Sequence, residues 1–130
     1  PISKAGAAKA AEPITGLLEC THTGNCVNSL GDGGLAPLAH QGSASEARAR
    51  LLAVLKTMSE AEITRQSDLE VRTIFTTLMG FRDEVTFVID PAGRRIDFRS
   101  RSLLGLYDFG KNRSRMEDFA RRFESIKPTP

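Results

Sequence analysis

The sequence contains no tryptophan and a single tyrosine among its 130 residues. Proteins that bind single-stranded nucleic acids stack the bases on aromatic side chains, so we expect no nucleic-acid partner. Long apolar runs are also missing: no segment approaches the roughly 20 residues that span a bilayer, and residues 1–20 lack the apolar core of a signal peptide. We therefore expect no transmembrane segment in this chain and leave open a membrane tether upstream of it.

Residues that commonly catalyse reactions are scarce. The two histidines, His22 and His40, lie in loop-like segments, and the chain lacks the Gly-x-Ser-x-Gly motif of serine hydrolases. Asp83 and Glu84 are neighbours in the sequence, so on a strand their carboxylates point to opposite faces and cannot form a facing pair. The sequence therefore predicts no catalytic residue, no cofactor and no enzymatic activity.

Only two cysteines are present, Cys20 and Cys26, and the turn-forming Gly24-Asn25 lies between them. An even count at this close spacing predicts a disulfide and an oxidising compartment. Two alternatives remain open. The thiols are free, or Cys20, His22 and Cys26 bind a metal with His40 or a carboxylate as fourth ligand.

Positive charge is concentrated near the C-terminus, although the net charge is only +2. Residues 94–130 hold 10 Lys and Arg against 5 Asp and Glu, a net +5, whereas residues 1–93 hold 8 against 11, a net −3. Such a segment forms either a solvated helix face with internal ion pairs or a surface that attracts anions, acidic partners or lipid headgroups.

Two amphipathic helices are predicted within one domain. Residues 1–19, rich in Ala, Lys, Gly and Pro, are predicted to be a flexible N-terminal tether, and residues 20–127 a single α+β domain. Ser43 and Glu46 have the spacing of a capping box, and an apolar stripe follows them. The second helix runs from about Arg113 to Ile126, with Asn112 or Ser114 as its expected N-cap.

Residues 69–78 and 84–90 are typical of strands, and Asp90-Pro91-Ala92-Gly93 is a strong turn. Pairing Asp90 with Gly93 places Glu84 opposite Arg99 and Asp83 opposite Ser100 on the returning strand. The glycine-rich segment 27–42 is predicted to be a loop. We therefore predict an α+β fold in which an antiparallel sheet of about four strands is covered on one face by two helices.

Three separated segments resemble domain-of-unknown-function family 1499. They are Asn-Cys-Val-Asn-Ser at 25–29, Phe-Arg-Asp-Glu-Val-Thr-Phe at 81–87, and the arginine- and serine-rich run at 99–115. The resemblance covers residues 20–126. It implies a protein of bacterial envelopes or chloroplasts, often behind a signal peptide or lipid anchor, and it implies no activity. With the predicted disulfide, the resemblance implies an extracytoplasmic location, either periplasmic or membrane-anchored on the periplasmic side. The chain departs from the family pattern at Asn28, at Glu84 and at Leu103, where Arg101 offers a replacement charge.

The polar loop at 99–115 is the candidate site. We expect convergent side chains to bind a small polar or anionic ligand, or an envelope partner, at the N-terminus of the last helix. The residues are Asp83, Glu84, Arg99, Ser100, Arg101, Ser102, Asp108, Asn112 and Arg113. Two alternatives stay open: a hydrolase or transferase with Ser100 or Ser102 as nucleophile, and a structural accessory domain in which Asp108 caps the helix and Arg99 pairs with Glu84.

Overall fold

The computed structural model describes residues 16–105 and 107–126, which form six strands and three helices. Helix α1 includes residues 16–18, and α2 and α3 span Ala44–Lys56 and Lys111–Ser125. The predicted α+β class and antiparallel sheet are confirmed, but the sheet has more strands than the four expected. The strands are β1 Cys26–Asn28, β2 Leu38–Ala39, β3 Ala61–Gln66, β4 Glu70–Thr76, β5 Arg82–Asp90 and β6 Arg95–Ser102.

The sheet has the strand order β1-β6-β5-β4-β3, and β2 also pairs with β6. The short strands β1 and β2 occupy different halves of β6, opposite Arg99–Arg101 and Arg95–Ile96. All of β2 and all of β1 except Cys26 lie in the segment 27–42 that was predicted to be a loop, and that prediction was wrong for them. Two or three residues are too few to show a strand period, and these become strands because β6 offers them unpaired backbone groups.

Helices α2 and α3 cover one face of the sheet. The predicted capping box of α2 is present, since Ser43 and Glu46 bond each other's backbone N–H groups. The apolar stripe of α2 and that of α3 pack on the inward side chains of β4, β5 and β6 in one core. The largest fully buried members are Leu51, Phe75, Phe87, Ile89, Ile96, Phe98, Met116, Phe119 and Phe123.

The register of the β5–β6 hairpin differs from the prediction by two residues. Asp90 pairs with Arg95 rather than Gly93, so Asp83 lies opposite Ser102 and Glu84 opposite Arg101. The Asp90 side chain accepts a hydrogen bond from the Gly93 N–H at 3.0 Å and closes a four-residue connection. Because side chains alternate with a period of two, this shift keeps every inward residue on the inward face.

The segment before β1 packs against the opposite face of the sheet. Leu18 is fully buried, and its carbonyl accepts a 2.7 Å hydrogen bond from the Asn28 side chain. The Glu19 carbonyl accepts another from Arg99 at 3.1 Å. Residues 16–19 of the predicted tether therefore contribute to the fold. Residues 1–15 of that tether lie outside the described residues, and so do residues 127–130, the first of which was predicted to end the domain.

Cys20 and Cys26 form a disulfide, with Cα atoms 5.6 Å apart. The predicted disulfide is confirmed. Because the two sulfur atoms are bonded to each other, the cysteines are neither free thiols nor metal ligands. None of the helices within 16–105 and 107–126 combines the length and apolar character that a membrane span requires.

Candidate functional site

Eight of the nine candidate residues form two clusters on opposite faces of the sheet. Strand alternation places Asp83, Ser100 and Ser102 on the face covered by the helices, where Asp108 and Asn112 join them. Glu84, Arg99 and Arg101 lie on the other face. Arg113 joins neither cluster. Its half-exposed guanidinium lies 3.6 Å from Glu117, one turn along α3.

Asn112 is the centre of the cluster under α3, which we call the helix-face network: Asp83, Ser100, Ser102, Asp108, Lys111, Asn112 and Arg115. Its side-chain oxygen accepts hydrogen bonds from Ser100 at 2.7 Å and Arg115 at 2.9 Å. Its amide nitrogen donates to the Asn25 carbonyl at 3.2 Å, Ser102 at 3.0 Å and Asp108 at 2.6 Å. All the hydrogen-bonding capacity of this fully buried amide is used inside the protein.

The Asp83 side chain is also bonded inside the protein. Its fully buried carboxylate bonds Arg115 at 2.6 Å and Lys111 at 3.0 Å, and the Arg115 guanidinium also lies 5.0 Å from the centre of the Phe75 ring. The site prediction omitted Arg115 and Lys111. Helical spacing would have found Arg115, because a residue three positions after Asn112 lies on the same face of a helix.

The Asp108 side chain accepts hydrogen bonds from backbone N–H groups at the start of α3. One carboxylate oxygen accepts the Gly110 N–H at 2.9 Å, and the other accepts the Asn112 N–H at 3.1 Å. The helix therefore begins at Lys111, before the predicted start at Arg113, and neither Asn112 nor Ser114 acts as the N-cap. These bonds occupy donors that the ligand hypothesis had assigned to a bound anion.

The environment of Asp108 favours its ionised form. Burial alone would raise the pKa of the carboxyl. The hydrogen bonds from the Asn112 side chain and the Gly110 and Asn112 N–H groups, with the nearby Lys111 charge, outweigh burial. The pKa of Asp108 therefore lies below its usual value.

The opposite-face cluster is an ion-pair network. Glu84 bonds Arg101 at 2.9 Å and Arg99 at 3.5 Å, so the predicted Glu84–Arg99 pair exists, but the cross-strand neighbour Arg101 is closer. Arg99 is buried, and its Nε atom has no hydrogen-bond partner among the described residues. Burial, then the charges of Arg101 and Arg72, lower the pKa of Arg99 against the opposing effect of Glu84.

Within residues 16–105 and 107–126, the geometry supplies no base for a serine nucleophile. Ser100 is fully buried and bonded to Asn112 and Arg115. Ser102 and His22 line the same small cavity of about 200 Å³, yet no hydrogen bond joins them in the described part of the chain. His40 follows β2, whose partners are the first residues of β6, whereas Ser102 is the last.

Large apolar side chains project from the end of the sheet that carries the helix-face network. We call them the apolar tip. Phe109 is 87% exposed, Met79 82% and Leu104 80%, and the rings of Tyr107 and Phe109 contact each other edge to face. Sequence reasoning missed them because it ranked polar groups. The members are Leu78, Met79 and Phe81 in the β4–β5 turn, and Leu103, Leu104, Tyr107 and Phe109 in the β6–α3 loop.

Comparison with known proteins gives a family without an assigned activity. No curated protein matches the chain. The family described as "Protein of unknown function (DUF1499)" matches residues 16–123, a range that contains the disulfide, both clusters and the apolar tip. This match confirms the resemblance seen in the sequence, and the chain belongs to the DUF1499 family.

Proposed function

We propose that this protein is a non-enzymatic, extracytoplasmic binding domain that contacts an envelope partner through residues 99–115. The proposal rests on a difference between the polar and the apolar side chains of this segment. Its buried and half-buried polar side chains, such as Ser100, Asp108 and Asn112, bond one another, whereas its apolar side chains Leu104, Tyr107 and Phe109 face solvent. Exposed large apolar side chains grouped at one end of a domain are typical of an interaction surface.

In this proposal, hydrogen bonds hold the loop between β6 and α3 in place. Residues 103–110 connect β6 to α3. The Leu103 N–H donates to the Arg82 carbonyl at 3.1 Å, and the Asp108 N–H donates to the Gly24 carbonyl at 2.9 Å. Asn25 adds a 2.7 Å bond to the Gly105 carbonyl. A loop held at both ends and in its middle presents its side chains at a lower entropic cost of binding.

A small anion is less well supported as the ligand. The groove beside the network has a volume of about 510 Å³ and contains the cations Lys111 and Arg115. Asp83 already bonds both cations, and the acids Glu60 and Asp118 line the same groove. A structural accessory role explains the bonded network but leaves the exposed apolar side chains without a purpose.

The disulfide supports the proposed location. Cytoplasmic thiols are kept reduced, so a structural disulfide between Cys20 and Cys26 favours an oxidising compartment such as the periplasm. A partner in or on the envelope would then be within reach of the loop.

Binding of the purified protein to isolated envelope membranes tests the proposal. The double variant Leu104→Ser/Phe109→Ser should lose most of the binding, because both side chains are largely exposed and contribute to contact rather than to the core. The matched control, Leu30→Ser/Leu69→Ser, changes two exposed leucines away from the loop and should bind as the wild type does. Equal binding by all three proteins would overturn the proposal.

A further inference from the structure

We infer that the partner contacted by residues 99–115 is the surface of an anionic lipid bilayer, into which the apolar tip inserts. This inference rests on the proposed function and specifies its partner. It adds a second contact segment, the β4–β5 turn, which the sequence had not assigned to any site.

Both segments of the apolar tip lie at the same end of the sheet. The Leu103 N–H donates to the Arg82 carbonyl at 3.1 Å, which joins the end of β6 to the start of β5. The Lys111 ammonium lies 5.7 Å from the centre of the Phe81 ring, which brings the start of α3 next to the β4–β5 turn. The turn and the loop therefore form one projecting end.

The β4–β5 turn holds its apolar side chains away from the core. The Thr77 N–H donates to the Phe81 carbonyl at 2.8 Å, the Gly80 N–H donates to the Thr77 carbonyl at 2.9 Å, and the Thr77 hydroxyl accepts the Phe81 N–H at 3.0 Å. Leu78, at the start of this tight turn, is fully exposed and Met79 nearly so. A closed turn whose apolar side chains are exposed can insert them into a lipid layer.

The charges around the apolar tip complement an anionic surface. Arg82 is exposed and forms no ion pair with any residue in the described ranges, and Lys111 is one-third exposed beside Phe81. Asp83 is buried under Lys111 and Arg115, and the ionised Asp108 bonds the backbone at the start of α3. Glu60 lines the groove beside Leu78 and forms no ion pair among the described residues, so the attraction of the apolar tip for an anionic surface rests on Arg82 and Lys111. Each basic residue near an anionic membrane contributes about 1 kcal/mol of attraction.

The chemistry of the side chains matches the interfacial region. Tyrosine and phenylalanine place a ring among the acyl chains near the headgroups, and leucine and methionine gain about 1.5–3 kcal/mol each on full transfer from water. Insertion of several such side chains, together with basic residues, gives the reversible binding expected of a peripheral membrane domain.

Co-sedimentation with protein-free vesicles tests the inference. The wild-type protein should bind vesicles of phosphatidylglycerol and phosphatidylcholine and should not bind vesicles of phosphatidylcholine alone. Leu104→Ser/Phe109→Ser and Leu78→Ser/Met79→Ser should each lower the partition coefficient at least tenfold, whereas Leu30→Ser/Leu69→Ser should leave it unchanged. Arg82→Gln should lower it about fivefold, the equivalent of about 1 kcal/mol. Circular dichroism melting of each variant establishes that it is folded.

Four results would overturn the inference: no vesicle binding by the wild type, equal binding to both lipid compositions, equal loss in the Leu30→Ser/Leu69→Ser control, and self-association through the apolar tip in place of vesicle binding. Envelope membranes separate the two proposals. If those membranes bind the wild type and not Leu104→Ser/Phe109→Ser while lipid vesicles bind neither, the partner is a protein and the proposed function stands. If the Leu104→Ser/Phe109→Ser variant binds envelope membranes as well as the wild type does, the proposed function fails.

Discussion

Replacing Asn112 by alanine tests whether the helix-face network is structural. The side chain makes hydrogen bonds to Ser100, Arg115, the Asn25 carbonyl, Ser102 and Asp108. Water can replace those to the partly exposed Ser102 and Asp108. The bonds to Ser100, Arg115 and Asn25 are lost where water is excluded, at roughly 1 kcal/mol each. We expect Asn112→Ala to lower the free energy of unfolding by about 2–4 kcal/mol.

Urea denaturation followed by circular dichroism measures this change, with the slope of the free energy against urea as a check on two-state behaviour. Ser114→Ala is the matched control. It lies in the same first turns of α3 but is exposed, so it should change stability by less than about 0.5 kcal/mol. An Asn112→Ala variant as stable as Ser114→Ala would refute the view that the polar residues of this loop serve mainly to hold it in place.

Three further changes test other parts of the structure. Replacing both cysteines of the disulfide by serine should lower the free energy of unfolding by roughly 2 kcal/mol in urea, and titration of the unreduced wild type should find no free thiol. The lowered pKa of Asp108 stabilises the folded state above the ordinary carboxyl pKa of about 4, and this contribution is lost as the pH falls through the folded-state value. The stability difference between wild type and Asp108→Asn should therefore shrink in acid, and a constant difference from pH 7 to pH 2 would contradict the assignment. Gly33→Ala should destabilise by about 2 kcal/mol more than Gly80→Ala, because both glycines have positive φ but only a Cβ at Gly33 meets Val27, at 2.6 Å; equal melting temperatures would show that the clash is relieved.

The sequence predicted the parts of this fold that repeat a local pattern. The apolar stripe of α2 follows from a period of 3.6, and the inward residues of β5 and β6 follow from a period of 2. The capping box follows from the spacing of Ser43 and Glu46. Each of these patterns needs only a few neighbouring residues. The hairpin register did not follow, because it depends on the conformation of the connection. Residues 91–94 form a longer connection than a two-residue turn, and Arg94 adopts a φ of 51°.

The candidate residues were predicted to converge on one site, whereas the structure divides eight of them between the two faces of the sheet. Successive side chains of a strand point to opposite faces of the sheet. The sheet itself therefore separates adjacent residues such as Asp83 and Glu84. The burial of Asn112 was not predicted, although this residue lies one turn before Met116 on the stripe that continues to Phe119 and Phe123. The apolar tip was less accessible to prediction, because an apolar residue in a loop carries no periodicity that tells packing from exposure.

A single tryptophan placed in the loop gives the most direct test of the central claim, that bonded polar residues hold an apolar tip for contact with a membrane. The chain has no tryptophan, so Leu104→Trp would carry the only one. With phosphatidylglycerol vesicles, its fluorescence should shift to shorter wavelength and be quenched by brominated acyl chains, whereas Leu69→Trp at the other end of β4 should show neither effect. An unchanged spectrum for Leu104→Trp, or the same response from both positions, would contradict the account.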